Sequence, residues 1–258
     1  MLLVTWNVNS LRARLPRVLE FCAEHEPEVL CLQETKVGPD DFPHDALAEA
    51  GYHAVHHSGG RGAGVAILAP LDHQLADPVL GLPGEAAPEE ARWVEATVSG
   101  MRVVSAYVPN GRAVGTAHFE AKLRFFEAAT ERVAELGDRA LAVTGDLNVT
   151  RGDLDVYDPQ AFAGSTHVTP EERGRFEAVL ETGLHDAYRH LDPDGVGYTW
   201  WDYRQGHFHR KMGLRIDYVL LSTPLAAGLT ECGIDRTYRK GPKPSDHAPL
   251  LARLDTAP

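Results

Sequence analysis

The stretch Ala140-Leu141-Ala142-Val143-Thr144-Gly145-Asp146-Leu147-Asn148 constrains the fold more than any other in the chain. It is a short apolar run that stops at a glycine and then presents a carboxylate and a carboxamide two residues apart. A run of this length closed by a turn signal reads as a buried strand. Because side chains alternate across an extended backbone, Asp146 and Asn148 are expected to point the same way from the strand end. Alone, the pair would serve equally well as an Asx-type turn. What gives it weight is that several other strands end in the same kind of residue.

The first of these strands, Leu2 to Trp6, runs into Asn7-Val8-Asn9-Ser10. Leu11, Leu15, Val18, Leu19 and Cys22 then recur at helical spacing, so one helix face packs inward. A second apolar run, Glu28-Val29-Leu30-Cys31-Leu32-Gln33, ends in Glu34-Thr35-Lys36. In open α/β sheets ligands gather beyond the carboxyl ends of strands, which places Asn7 and Glu34 like site residues. Each would also suit a cap or a turn.

The middle of the chain reads as β-rich. Gly64 to Leu68 is a short buried strand, and Trp93 to Val98 with Arg102 to Val108 form a hairpin turned at Ser99-Gly100. The Pro-, Gly- and Glu-rich segment 77–91 reads as a surface loop. The hairpin finishes in Tyr107-Val108-Pro109-Asn110-Gly111, which puts an aromatic before a turn. Phe119, Leu123, Phe126, Val133 and Leu136 then mark a long helix leading into the strand described first.

Beyond Asn148 comes a loop of about twenty residues, a length that usually signals function. Thr169-Pro170-Glu171-Glu172 is a capping box with proline at the first helical position, so a helix is expected from there to about Thr182. His167 lies just before it. Tyr198 to Tyr203 reads as an aromatic strand or strand edge whose tryptophans could stack on bases or pack in the core. Arg215 to Leu221 puts Asp217 at the start of a strand, and Ser245-Asp246-His247 precedes the last strand, His247 to Leu254.

The assembled candidates are Asn7, Glu34, Tyr107, Asp146, Asn148, Asp217, Asp246 and His247. Hard oxygen donors without Cys or His pairs at zinc spacing suit Mg²⁺ or Mn²⁺. One imidazole among carboxylates suits a phosphoester cut by water, where a metal neutralises charge on non-bridging oxygens. Ser245 beside Asp246-His247 does not make a serine triad, since no Gly-x-Ser-x-Gly elbow is present.

Composition bounds the alternatives. The chain has 258 residues, 43% of them hydrophobic, enough for a large core in one or two domains. No apolar stretch is long enough to span a bilayer and Met1 to Trp6 lacks a basic n-region, so a cytoplasmic protein without membrane contact is expected. Cys22, Cys31 and Cys232 sit in apolar segments and read as buried free thiols. The net charge of −12 argues against a nucleic-acid partner at first sight. Basic residues nonetheless cluster at Arg12, Arg14 and Arg17, at Arg204, Arg210, Lys211 and Arg215, and at Arg239, Lys240 and Lys243, which allows a local basic rim.

Six motifs carry a family resemblance: Trp6-Asn7-Val8-Asn9-Ser10-Leu11-Arg12, Leu32-Gln33-Glu34-Thr35-Lys36, Tyr107-Val108-Pro109-Asn110-Gly111, Gly145-Asp146-Leu147-Asn148, Leu214-Arg215-Ile216-Asp217 and Ser245-Asp246-His247. In this order, spanning nearly the whole chain, they resemble the exonuclease III branch of the endonuclease/exonuclease/phosphatase superfamily. The resemblance implies one domain over 1–258 with a four-layer α/β sandwich, two packed mixed β-sheets flanked by helices. It also implies a monomeric enzyme that hydrolyses double-stranded DNA at abasic sites and 3′ termini in base excision repair, using Mg²⁺ with Mn²⁺ as a substitute. One or two metals fit equally.

By the same resemblance, Glu34 is the main metal carboxylate, with Asn7 and Asp246 as direct or water-mediated ligands and Asp146, Asn148 and His247 close to the ion. Asp146 orients or deprotonates the attacking water, and Asn148 holds that water or the phosphate. His247, oriented by Asp217, donates to a phosphate oxygen, and Tyr107 contacts the phosphate or the leaving oxygen. Asn110, Trp200, Leu214 and Arg215 join the substrate side, with Trp200 and Leu214 lining a pocket for an extruded sugar. His167 stands where abasic-endonuclease members carry a small residue. A bulky, cationic imidazole there would crowd the strand beyond the phosphate and favour 3′-terminal substrates, making a 3′-end exonuclease/phosphatase with weak abasic endonuclease activity the alternative. A related phosphodiesterase acting on RNA, lipid or inositol phosphates, and a non-catalytic scaffold, are the remaining readings. The intact motif residues weigh against the scaffold.

Overall fold

The computed structural model describes residues 1–59, 62–85, 87–137 and 139–255. The chain opens with β1 (Leu2–Asn7), α1 (Leu11–His25) and β2 (Val29–Gln33), and the two strands pair in parallel. After α2 (His44–Glu49), β3 (Tyr52–His57) and β4 (Val65–Pro70) form an antiparallel pair. Next come β5 (Ala76–Leu80) and the hairpin of β6 (Trp93–Val98) and β7 (Met101–Tyr107). Its turn residues Ser99 and Gly100 have φ of 49° and 80°, the left-handed pair that matches the twist of a two-residue hairpin.

The second half holds α3 (Ala117–Leu136), β8 (Leu141–Asp146), α4 (Pro170–Leu180), β9 (Leu184–Asp186), α5 (Ala187–Leu191), β10 (Asp217–Ser222), α6 (Thr223–Ala226), β11 (Leu229–Ile234) and β12 (Leu250–Leu254). Thr169 caps α4 in the expected box, its hydroxyl accepting from the Glu172 amide. The strands make two six-stranded sheets, ordered β11-β12-β1-β2-β4-β3 and β5-β6-β7-β8-β10-β9. The sheets stack face to face with helices outside, the α/β sandwich that the motifs implied.

Alternation within each strand builds these layers. Along β1 and β2, Leu3, Val29 and Cys31 face the other sheet, whereas Val4, Trp6, Leu30 and Leu32 pack beneath α1. In β8, Ala142 enters the inter-sheet core while Leu141 and Val143 meet α3 and α4. Covered on both faces, these strands are buried along their whole length and are apolar in their first half instead of alternating with exposed polar residues.

The inter-sheet face changes character along its length, and this places the site. Successive inward positions read Leu3, Thr5, Asn7 on β1, Val103, Ser105, Tyr107 on β7, and Ala142, Thr144, Asp146 on β8. The middle tier is polar but satisfied. Gln33 Nε2 donates to Ser105 Oγ at 3.0 Å, Ser105 Oγ to the Leu32 carbonyl at 3.1 Å, and Thr144 Oγ1 to the Val104 carbonyl at 2.8 Å. Such groups cost little buried because each has a partner. The third tier is the site.

Four sequence readings need correction. Segment 77–91 is not all loop, because β5 is an edge strand with Asp77 and Pro78 exposed and a register shift against β6. Proline and bulges belong on such edges, which hid the strand among turn signals. Tyr198–Tyr203 is no strand, since Trp200 makes only isolated bridges to Leu214 and His247. The last strand starts at Leu250, after Ser245–Pro249 has turned, and α4 ends at Leu180.

Candidate active site

Gly145 is where the polypeptide is least replaceable. It lies inside β8 at φ 142°, and a Cβ there would sit 1.9 Å from the Ala106 carbonyl oxygen of β7. Only glycine lets the two strands meet at this point, and the next residue is Asp146. Past it, the Asn148 backbone N–H donates to Asp146 Oδ1 at 3.0 Å, and Asn148 is left-handed at φ 51°. The Asx turn and the site are therefore the same structure.

Asp217 joins from the opposite end of its strand because β10 runs antiparallel to β8, which sets Asp217 across from Asp146. His247 arrives from the loop before β12, stitched by the Trp201 amide to the Asp246 carbonyl and the Ala248 amide to the Thr199 carbonyl. Ser245 Oγ donates to the Asn7 carbonyl at 2.7 Å and is buried, a turn-fixing hydroxyl with no exposed nucleophile.

At the centre, ligand atoms of Glu34, Asp146 and His247 all lie within 4.8 Å of one another. Asn7 Nδ2 spans the two carboxylates, donating to Glu34 Oε1 at 2.8 Å and Asp146 Oδ2 at 2.9 Å. His247 Nδ1 donates to Asp217 Oδ2 at 2.8 Å, while its Nε2 faces Asp146 Oδ2 at 3.7 Å. A cleft of about 200 Å³ opens over them, lined by Glu34, Tyr107, Asn110, Asp146, Asn148, His167, Trp200, Ile216, Asp246 and His247.

Burial and like charge set the electrostatics. Burial, with the charges of Asp217 and Glu34, raises the Asp146 carboxyl to about 8 against the pull of His247. Burial alone would lower the His247 imidazolium, but Asp217 and Asp146 outweigh it and raise it to about 10. Tyr107 is pushed well above its ordinary value by burial and by Glu34 and Asp146, so its hydroxyl stays protonated. Two carboxylates and an imidazole converge here with an amide between them and no thiol near. That donor set fits a hard divalent cation, which would relieve the repulsion that burial creates.

The other predicted residues divide. Asp246 lines the cleft outside the central group, accepting from Asn9 Nδ2 at 2.9 Å and Trp200 Nε1 at 3.0 Å. Asn148 lines the cleft with its amide already hydrogen-bonded. Its Nδ2 donates to the Val108 carbonyl at 3.0 Å and its Oδ1 accepts from Asn110 at 3.1 Å. Leu214 is 1% exposed in a small cluster with Val156 and Ile216, so Ile216 and not Leu214 reaches the cleft.

Arg215 belongs neither to the substrate side nor to the basic rim. It is fully buried and forks between Asp155, at 2.8 and 3.1 Å, and Asp186, at 2.9 and 3.1 Å. Arg239 is also largely buried. Arg12, Arg204, Arg210, Lys211, Lys240 and Lys243 remain exposed.

His167 reaches the cleft, but its surroundings oppose a cationic ring. Burial and the Lys122 charge lower it to about 4. Its Nδ1 donates to the Asn148 carbonyl at 2.5 Å, which leaves Nε2 as an acceptor facing Asn110 at 3.5 Å.

Sequence reasoning missed Lys36 and Lys122. Lys36 Nζ reaches Glu34 Oε2 and Asn9 Oδ1, both at 2.6 Å. Lys122 is fully buried on the inward face of α3 between Phe119 and Phe126. A lysine inside that apolar stripe, with Glu172 supplied by the capping box, was the available signal.

The chain belongs to the Endonuclease/Exonuclease/phosphatase family, which its residues 4–247 match. Within it, the chain falls among the exonuclease III and AP endonuclease enzymes, metal-dependent hydrolytic nucleases. It is similar to exodeoxyribonuclease III of Haemophilus influenzae, 31% identical over 97% of this chain and 98% of that one. Among solved structures it resembles the 3′-5′ exonuclease NExo from Neisseria meningitidis, with 41% identity, a TM-score of 0.95 and coverage of 99% and 100% of the two chains. NExo has also been solved as a 3′ phosphatase bound to a product DNA hairpin. An AP endonuclease from Archaeoglobus fulgidus matches with 33% identity, a TM-score of 0.95 and the same coverage.

Proposed function

We propose that this chain is a Mg²⁺-dependent DNA-repair phosphodiesterase acting on double-stranded DNA at 3′ termini and abasic sites, with Mn²⁺ as a substitute. The observation that carries this reading is the convergence of Glu34, Asp146 and His247 within 4.8 Å at the floor of a cleft. When bound there, a divalent cation would neutralise charge growing on the non-bridging phosphate oxygens. Glu34 would hold it, with Asn7 and Asp246 acting directly or through water.

The chain's own residues then divide the work. Asp146 orients the attacking water and accepts its proton, being the central buried carboxylate with an oxygen facing His247. Asn148 and Asn110, hydrogen-bonded to each other, offer amides to water or phosphate. His247, held charged by Asp217, donates to a phosphate oxygen as it gains charge. Tyr107, still protonated, contacts the phosphate or the leaving oxygen. Trp200, anchored through Asp246, forms the wall against the sugar.

His167 favours the 3′-terminal specialisation. Its ring stands in the cleft beside Asn148 and Asn110, where it narrows the path of a continuing strand, and the similarity to NExo points the same way. The free thiols Cys22, Cys31 and Cys232 suit the reducing cytoplasm, and among the described residues no helix is long and apolar enough to cross a membrane.

End-labelled duplexes carrying an internal abasic site, a 3′-phosphate or a recessed 3′-hydroxyl test the reading. Hydrolysis is expected with Mg²⁺, strongest at 3′ ends, and none with chelator or in Asp146→Asn. His167→Gly should raise abasic incision relative to 3′-phosphate removal. Turnover that survives chelation, or release of phosphate from lipid or inositol substrates only, would contradict it.

A further inference from the structure

Lys122 and Glu172 form an ion pair whose side chains are both 0% exposed, in direct contact behind the cleft. A buried pair of this kind is weak support for stability, because the desolvation of both charges offsets most of their attraction. What distinguishes it is where its remaining hydrogen bonds go. Lys122 Nζ donates to the Asn148 carbonyl at 2.6 Å and approaches Thr166 Oγ1 at 3.4 Å. Glu172 Oε1 accepts from Thr166 Oγ1 at 2.7 Å and from the His167 backbone N–H at 2.9 Å, and Oε2 accepts from Thr169 Oγ1 at 2.6 Å.

The pair thus grips both residues that shape the outer wall of the cleft. One carbonyl, that of Asn148, receives the Lys122 ammonium and His167 Nδ1 together. Asn148 and His167 are both left-handed, at φ 51° and 80°, a conformation that non-glycine residues keep only when their surroundings impose it. Packing leaves no slack on the far side. A Cβ on Gly111 would meet Thr166 Oγ1 at 2.9 Å and Lys122 Cδ at 3.1 Å.

We infer that Lys122 and Glu172 are positioning residues that fix the His167 ring over the cleft and so set the preference between 3′-terminal and internal substrates. Neither touches the cleft. They act through the Asn148 carbonyl and the Thr166–Thr169 backbone. The inference rests on the reading of this cleft as a DNA phosphodiesterase site with His167 at the strand path.

The test is a double-mutant cycle on the ratio of internal abasic incision to 3′-phosphate removal, measured with Mg²⁺. Lys122→Met/Glu172→Gln removes both charges together and keeps an acceptor for the His167 N–H, so no buried charge is left unpaired. Its ratio should move toward abasic incision by about fivefold or more, in the same direction as His167→Gly. Added to His167→Gly, it should change the ratio no further. Thr166→Val, which cuts the link from Glu172 to the residue before His167, should give a smaller shift the same way and serves if the double variant does not fold.

A fall in both activities with an unchanged ratio would reduce the pair to scaffolding and overturn the inference. A shift that persists undiminished in His167→Gly would overturn it too, by showing an action independent of that ring. If His167→Gly alone leaves the ratio unchanged, the assignment of His167 falls and takes the positioning role with it. Wild-type protein that cuts no DNA would instead refute the reading of the cleft.

Discussion

Replacing Arg215 separates a structural from a substrate-binding role most sharply. Arg215→Met keeps the length of the side chain and removes four hydrogen bonds to Asp155 and Asp186, the bonds spanning 2.8 to 3.1 Å. It also removes the guanidinium from the Tyr218 ring, whose centroid lies 4.6 Å away. Asp155 retains Arg189, but Asp186 is left buried at 3% exposure without its cation. Breaking one partner out of such a group costs about 3–5 kcal/mol. For a domain of this size that lowers the melting temperature by roughly 10 °C.

The pH dependence supplies an independent sign. Burial would raise the Asp155 carboxyl, but Arg215 and Arg189 outweigh it and hold it below its ordinary value. A depressed folded-state pKa contributes stability that is present above the unfolded value, about 4, and is lost as pH falls through the folded one. Urea unfolding between neutrality and about pH 3 should therefore show wild-type stability falling steeply at the acid end and a flatter profile in Arg215→Met. At neutral pH, KM for a 3′-phosphate duplex should be nearly unchanged in the folded variant. A variant within about 1 kcal/mol of wild type and with a large rise in KM would restore Arg215 to the substrate side.

Gly145→Ala should fail to fold or lose about 3 kcal/mol or more, since its Cβ would fall 1.9 Å from a neighbouring strand's carbonyl; a wild-type melting curve would contradict the close approach of β7 and β8. Asp217→Asn should lower kcat by about 10²- to 10⁴-fold with far-UV circular dichroism intact, because an amide can offer N–H to His247 Nδ1 and favour the wrong tautomer. A loss under about tenfold would mean that His247 does not depend on Asp217 for its proton.

Much of this architecture is legible in the sequence because one rule generates it. Inward positions two residues apart on β1, β7 and β8 pass from Leu3, Val103 and Ala142 through Thr5, Ser105 and Thr144 to Asn7, Tyr107 and Asp146. The alternation of a strand and the polar residue at its end suffice to predict that tier. Asp217 looks out of place only until β10 is seen to run antiparallel to β8.

The misread residues share a cause, which is that a motif does not reveal which face its members take. Arg215 lies two residues from Asp217, yet its side chain enters the Asp155–Asp186 pocket. Leu214 pairs its backbone with Trp200 and buries its side chain. Asn148 lines the cleft, but its amide also bonds Val108 and Asn110, partners that the motif alone does not show. The charge of His167 is set by its burial and then by Lys122, which is 45 positions earlier and comes near only through the fold.

Strand ends from both sheets should assemble one divalent-cation site under the scissile phosphate. Anomalous diffraction from crystals grown with Mn²⁺ tests it directly. A peak bonded to Glu34 and adjacent to Asp146 and His247, absent in Glu34→Gln, is the predicted result. A fully occupied ion elsewhere, with that cluster empty, would contradict it.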